Sequence, residues 1–120
     1  MWINISSIAL IVLGLIHLTA VFKVGPMFEN LNGQQFNVFI FMYLATGLGT
    51  VLPGLISKLQ VKGLKEKDKR AWITLFICSV YAIVTGIGAV ILMNTNPFAY
   101  LEFIIGILLL TPVLLIKNKI

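Results

Sequence analysis

The sequence predicts an all-α membrane protein whose four transmembrane helices form an antiparallel up-down bundle. Of its 120 residues, 59% are hydrophobic and only 11% are charged, and the mean hydropathy is +1.03. A soluble domain of this size exposes much of its surface to water and has about 25% charged residues. The composition therefore excludes a soluble globular enzyme, a disordered chain and a disulfide scaffold. The apolar residues also form four continuous runs, each about as long as a membrane-spanning helix.

These four runs give the helix boundaries within one transmembrane domain, residues 1–120. The predicted spans are 2–22, 37–57, 71–93 and 98–116. The first run has no basic segment before it and is longer than the apolar part of a signal peptide, so it is assigned as a helix. The turn 94–97 ends the third span because Pro97 interrupts the helical hydrogen-bond ladder. Strands of a barrel would instead alternate apolar and polar residues.

Basic residues predict the orientation of the spans. Of the nine lysines and arginines, six lie in the segment 58–70 and two near the C-terminus, whereas Lys23 lies on the opposite side. The positive-inside rule makes 58–70 a basic cytoplasmic loop and gives an N-in, C-in topology. The loop residues expected to contact anionic lipid headgroups are Lys62, Lys65, Lys67, Lys69 and Arg70. The net charge of +5 therefore needs no nucleic acid, and docking of a protein partner to this loop stays open.

Small residues at helical spacing predict the contacts between helices, because lipid gives apolar helices no drive to associate. The candidate contact residues are Ser7, Leu10, Gly14 and His17 in the first helix, Ala45, Thr46, Gly49, Thr50 and Gly54 in the second, Cys78, Ala82, Gly86, Gly88 and Ala89 in the third, and Glu102 and Gly106 in the fourth. Pro53 and Pro112 are expected to bend the second and fourth helices, either as hinges or as static bends.

Only two ionisable side chains of conventional interest lie within the spans, His17 and Glu102. A charge at membrane depth costs about 2.5–3.5 kcal/mol on insertion scales, so such residues usually face the bundle interior and mark functional sites. Both lie roughly 6–8 Å below the outer boundary, and Tyr43 lies at a similar depth. We therefore predict a polar site near the outer leaflet made of His17, Glu102 and Tyr43, with Thr46 beside Tyr43. The alternatives are that His17 and Glu102 only satisfy each other, or that Glu102 extends to the interface.

Motifs for metal or covalent chemistry are absent from the sequence. One histidine with one or two acids falls short of a zinc site, and a haem with two histidine ligands would need a second chain. No Ser-His-Asp set, phosphate loop or dinucleotide fingerprint is present. The sequence therefore predicts no metal and no cofactor.

The layout of the chain has three features that occur together in a known group. They are Gly14-Leu15-Ile16-His17 in the first helix, the Pro53-Gly54 end of the second helix followed by a short basic loop, and the proline-containing turn before the fourth helix. Over nearly all 120 residues the chain resembles the small bacterial four-helix membrane proteins of the DoxX-like group, although the segment 96–100 matches no motif of that group. The resemblance implies a four-helix bundle in the bacterial inner membrane and transfers no reaction.

Three functions are consistent with the sequence. The first is a homo-oligomeric membrane protein that binds or passes a small ligand, cation or proton at His17 and Glu102. Self-association would supply a path across the membrane at the interface between subunits, since four helices alone enclose little volume. The second is a structural or accessory subunit that docks a membrane partner protein. The third is an enzyme acting on a lipid, quinone or haem, which needs more ligands than this chain supplies.

Overall fold

The computed structural model covers residues 1–120 and contains helices but no β-strand. The four long helices are α1 (Trp2–Val24), α2 (Gly33–Lys65), α3 (Lys69–Leu92) and α4 (Pro97–Leu115), and two 3₁₀ turns cover Gly25–Phe28 and Lys117–Lys119. Each long helix is long and apolar enough to span a membrane. The prediction of an all-helical, multi-pass membrane protein is therefore confirmed.

Helix α2 is longer than its predicted span of 37–57. At its start, the Asn32 side chain accepts a hydrogen bond from the Gln35 backbone N–H at 2.9 Å and caps the helix. At its end, the helix continues to Lys65, and α3 begins at Lys69, so the prediction of a loop at 58–70 was wrong for residues 58–65 and 69–70. These residues are mostly good helix formers, and a helix satisfies its own backbone in water as it does in lipid. The length of an apolar run therefore gives only the part of a helix that lies in hydrocarbon, and the helix itself can extend further.

A tight turn at residues 66–68 joins α2 to α3. The Asp68 backbone N–H donates to Gly63 O at 2.9 Å, and the Lys67 N–H donates to Leu64 O at 3.1 Å. Lys67 has a φ of 61°, in the left-handed region that favours glycine. The Asp68 carboxylate then accepts from the Arg70 N–H at 2.8 Å and caps α3. The turn therefore uses the last carbonyls of α2 and the first amides of α3.

The bundle exposes large apolar side chains and buries small or polar ones. Leu52, Leu92 and Phe41 are more than half exposed, whereas the buried polar residues are Ser6, Ser7, Thr50, Ser57, Ser79 and Glu102. Most serine and threonine hydroxyls donate to a carbonyl of their own helix, as Ser7 does to Ile3 O at 2.6 Å. This distribution is the one expected in a hydrocarbon solvent, where burial of polar groups is favourable and exposure of leucine side chains is not unfavourable.

Glycines bring the helices together in two close pairs, α1 with α2 and α3 with α4. A Cβ atom on Gly14 would lie 2.8 Å from Gly47 O, and one on Gly86 would lie 2.6 Å from the backbone nitrogen of Phe103. Most of the predicted contact residues are buried, but Ala45 is exposed and no helix covers it. Helices α2 and α4 are continuous through Pro53 and Pro112, and the role of these prolines as hinges stays a prediction.

The two ends of the bundle are filled differently. An apolar cluster, which includes Ile3, Leu75, Leu109 and Val113, packs against Leu64, Trp72 and Ile116, so it fills the end near the basic segment. Trp72 Nε1 donates to Val113 O at 2.8 Å in this region. The last part of α1, the first half of α2 and the start of α4 instead border an open space that polar residues line. The candidate functional site therefore lies beside this open space.

Candidate functional site

A cavity of about 130 Å³ lies between the end of α1, the first half of α2 and the start of α4. His17, Tyr43, Thr46 and Glu102 all line it, so the structure brings the four predicted site residues together. His17 lies seven residues before the end of α1, and Glu102 lies five residues after the start of α4. These offsets correspond to about 10 and 8 Å along the helix axes. The sequence predicts a similar depth for His17 and Glu102, and these two distances agree with that prediction.

The Glu102 carboxylate is almost enclosed, with 7% of the residue exposed. Its Oε1 atom accepts hydrogen bonds from Thr85 Oγ1 of α3 at 2.9 Å and from Thr50 Oγ1 of α2 at 3.3 Å. Oε2 makes no hydrogen bond to the protein and is not a fully enclosed atom. No basic side chain pairs with this acid, since the one salt bridge joins exposed Lys62 to Glu66. Glu102 therefore has two hydroxyl donors on one oxygen and a second oxygen free to bind.

Both threonines also have a carbonyl of their own helix within reach. Thr50 Oγ1 lies 3.1 Å from Thr46 O, and Thr85 Oγ1 lies 2.9 Å from Tyr81 O. Each hydroxyl carries one proton, so it can donate fully either to Glu102 or to its own helix. The donors around Glu102 can therefore adapt to the charge of the carboxylate without moving a helix.

The His17 ring stacks on the Tyr43 ring, with centroids 4.1 Å apart and an interplanar angle of 17°. Its Nε2 atom is buried and makes no hydrogen bond. No ion pair joins His17 to Glu102 within 4.0 Å, so the alternative in which these two residues only satisfy each other was wrong. The wall of the cavity therefore contains an enclosed imidazole nitrogen with no partner, whereas Glu102 Oε2 is an unpaired polar atom that is not fully enclosed.

Two residues that donate to Glu102 are not among the site residues that the sequence predicts. Thr50 was expected only to pack between helices, and Thr85 was not identified at all, although both donate to Glu102. Thr46 lines the cavity, but its hydroxyl donates to Met42 O at 2.8 Å rather than to the acid. Thr85 lies seven residues before the end of α3, at about the depth of His17, so comparing the depths of hydroxyl residues would have found it.

Other candidate residues lie away from the cavity. Glu29 is exposed and does not line it. No cluster of three or more histidine, cysteine, aspartate or glutamate side chains is placed to hold a metal ion. The basic residues at the opposite end are all exposed: Lys62, Lys65, Lys67, Lys69 and Arg70. Their contact with lipid headgroups stays a prediction.

Comparisons with known proteins give no relative: no protein-family model, curated protein or solved structure matches the chain. The resemblance to the DoxX-like group therefore stays a prediction that rests on the layout of the sequence.

Proposed function

We propose that this chain is a small protein of the bacterial inner membrane that binds a small cation or a proton at Glu102 and passes it across the membrane. The observation that carries this proposal is the unpaired Oε2 atom of a nearly buried acid on the wall of an open cavity. The expected DoxX-like architecture agrees with this role and supplies no further support for it.

The chemistry of the cavity favours a cation over an anion. Glu102 is its only acid and no lysine or arginine lines it. A carboxylate in apolar surroundings is costly unless it binds a positive charge or a proton. With water occupying about 30 Å³ per molecule, a volume of about 130 Å³ holds roughly four waters or one small amine. Glu102 is thus the binding group, the His17 ring forms part of the cavity wall, and Tyr43 orients the imidazole.

The proposed orientation places this cavity near the outer leaflet. Along α1 and α2, Gly14 lies against Gly47 whereas Ser7 lies against Gly54, which supports antiparallel neighbours in an up-down bundle. The apolar cluster links the start of α1 with the end of α4, which supports a topology with both termini and the basic segment at one end. The positive-inside rule makes that end cytoplasmic, with its lysines and Arg70 against anionic headgroups.

Passage across the whole membrane requires more than one bundle. The apolar cluster around Leu75 and Leu109 fills the cytoplasmic half, so a cation that enters the cavity has no open route through the chain itself. Association of several copies would supply this route at the interface between subunits. The proposal therefore includes a homo-oligomer.

The test uses the full chain reconstituted in liposomes, with methylammonium and protons as the probes. A pH-sensitive dye inside the liposomes reports proton flux, and radiolabelled methylammonium reports uptake. Glu102→Gln keeps the side-chain shape and an oxygen for the Thr85 hydroxyl, and we expect it to abolish both signals. His17→Ala is expected to reduce them several-fold. The control Glu29→Gln removes an exposed acid outside the cavity and is expected to behave as the unmodified protein.

Thermal unfolding in detergent shows whether each variant is folded. If folded Glu102→Gln protein retains full methylammonium uptake and proton flux, the proposed function is wrong. Equal losses in Glu102→Gln and Glu29→Gln would also overturn it, because only the first acid lines the cavity.

A further inference from the structure

A second cavity, of about 410 Å³, lies between α2 and α3 on the other side of Glu102. It shares part of its wall with the first cavity, and the shared residues are Thr46, Thr50, Ala89, Met93 and Glu102. The same carboxylate therefore borders two separate spaces. We call the second space the α2–α3 cleft and define it by Ala45, Gly49, Tyr81, Thr85, Gly88 and Glu102.

Small side chains leave the α2–α3 cleft empty. The sequence predicts that Ala45, Gly49 and Gly88 lie where helices touch, yet α2 and α3 pack less extensively than either close helix pair. A Cβ atom on Gly88 would meet nothing within 4 Å. Exposed Met42 and Leu92 complete the lining. Both helices are membrane spans at this depth, so the cleft opens sideways toward the hydrocarbon.

The cleft is lined mainly by apolar surface, with a few polar groups on its inner wall and no basic side chain. Tyr81 extends across it, so that its hydroxyl would lie 2.7 Å from a Cβ atom on Gly49, and this hydroxyl makes no hydrogen bond to the protein. The Gly49 carbonyl also lacks its usual partner, because Pro53 has no N–H to donate four residues later. Together with the Glu102 carboxylate, these oxygens accept hydrogen bonds, and no basic side chain lines the cleft to donate them.

The geometry points to a specific class of ligand: we propose that the α2–α3 cleft binds a single-chain amphiphile with a protonated amine head, which enters from the lipid phase. The ammonium group supplies a positive charge and three N–H donors for Glu102, Tyr81 and the Gly49 carbonyl. The alkyl chain lies along the apolar mouth at Met42 and Leu92. This inference deepens the proposed function, since it rests on Glu102 as the cation-binding group, and it adds a second, lateral entrance.

The test measures binding of dodecylamine that carries a photoreactive diazirine on its chain, with the full protein in lipid nanodiscs. Mass spectrometry of the crosslinked peptides locates the chain, and competition with plain dodecylamine gives the affinity. We expect crosslinks near Met42 and Leu92. Gly88→Leu fills the cleft where a side chain has free space, and we expect at least tenfold weaker binding. The matched control Val84→Leu adds bulk one turn away on a lipid-facing residue that is 61% exposed, and it should bind as the unmodified protein.

Ala45→Leu fills the cleft from the α2 side and serves as the second variant if Gly88→Leu fails to fold. Dodecanol and dodecanoate test the head group: the alcohol should bind at least tenfold more weakly than the amine, and the acid should not compete. Glu102→Gln should lose the preference for the amine.

Several outcomes would overturn this inference. They are undiminished binding to folded Gly88→Leu and Ala45→Leu proteins, equal binding of dodecanol, and crosslinks spread over all lipid-facing helices. Native mass spectrometry showing that Gly88→Leu dissociates an oligomer would assign the cleft to a second copy of the chain instead. Methylammonium uptake separates the two proposals, because Gly88→Leu should leave it intact. Normal methylammonium uptake without dodecylamine binding would reject only the proposal for the α2–α3 cleft. Dodecylamine binding that Gly88→Leu weakens, in a protein that takes up no methylammonium, would reject only the proposed function of the first cavity.

Discussion

Thr85 Oγ1 lies 2.9 Å from Glu102 Oε1, so an acid on α4 is joined to a hydroxyl on α3 within the membrane-spanning part of the bundle. Gly86, the next residue, lies against the backbone of Phe103, the residue after Glu102. The hydrogen bond and the closest approach of these two helices are therefore adjacent. The position of the carboxylate depends on packing as much as on its own bonds.

The first prediction concerns the hydrogen bond itself. Thr85→Val keeps the branched shape and removes the hydroxyl, so Glu102 loses its shorter bond. We expect the free energy of unfolding to fall by about 1–2 kcal/mol, above the average for hydrogen bonds in membranes because the acceptor is a carboxylate. Reversible unfolding in mixed detergent micelles measures this change.

The control for that prediction is Thr74→Val in the same helix. The Thr74 hydroxyl is exposed and donates only to Arg70 O, at 2.9 Å. This substitution should change the free energy of unfolding by less than about 0.5 kcal/mol. Equal effects at the two positions would show that the bond between α3 and α4 adds nothing to stability.

The second prediction compares two glycines of α3. A Cβ atom on Gly86 would lie 2.6 Å from the backbone of Phe103, whereas one on Gly88 would meet nothing within 4 Å. Gly86→Ala should therefore separate α3 from α4 and lower the free energy of unfolding by about 1–3 kcal/mol. Gly88→Ala should leave it unchanged or raise it by less than about 1 kcal/mol, because alanine favours a helix.

Unfolding of the two glycine variants side by side measures this difference, and both carry the same added methyl group. A destabilisation of Gly88→Ala as large as that of Gly86→Ala would mean that the α2–α3 cleft is closed in the membrane.

The sequence is sufficient to locate the helices, because an apolar run of about 20 residues has no other stable form in lipid. It does not locate the end of α2, since Lys58 and the residues after it suit a helix in water as well as a loop. Depth along a helix placed His17, Tyr43 and Glu102 near one another, and all three line one cavity. Depth also makes Thr85 a candidate, but rotation about the helix axis, which the sequence does not give, decides that its hydroxyl bonds to Glu102 on α4.

The third prediction concerns the turn between α2 and α3. Lys67 has a φ of 61°, which costs a residue with a side chain about 1–2 kcal/mol and costs glycine little. Lys67→Gly should raise the free energy of unfolding by about 0.5–1 kcal/mol, after allowing for the greater freedom of glycine in the unfolded chain.

The matched control for the turn is Lys58→Gly, which removes the same charge from the interior of α2. It should lower the free energy of unfolding by about 1 kcal/mol, since glycine is a poor helix former. A loss of stability in both variants would place Lys67 in a right-handed conformation in the membrane-bound protein.

The fourth prediction concerns the stacking of His17 on Tyr43. Their centroids lie 4.1 Å apart, and such a stack contributes about 0.5–1.5 kcal/mol beyond area burial. Tyr43→Phe keeps the ring and should keep the stack, whereas Tyr43→Leu removes it and frees the imidazole to rotate. The chain has a single histidine, so one labelled imidazole resonance reports its surroundings without overlap. We expect a ring-current shift that persists in Tyr43→Phe and disappears in Tyr43→Leu.

The control for this stack is Phe39→Leu, because the Phe39 ring lies 5.8 Å from Tyr43 and packs against the Phe28 ring at 4.1 Å with a tilt of 32°. It removes an aromatic neighbour of Tyr43 and leaves the His17–Tyr43 contact in place, so the imidazole resonance should stay where it is. Methylammonium uptake should then fall in Tyr43→Leu alone, since only there does the imidazole lose its fixed position in the cavity wall. A resonance that moves equally in Phe39→Leu and Tyr43→Leu, or uptake that survives the loss of the stack, would mean that Tyr43 does not hold the imidazole for binding.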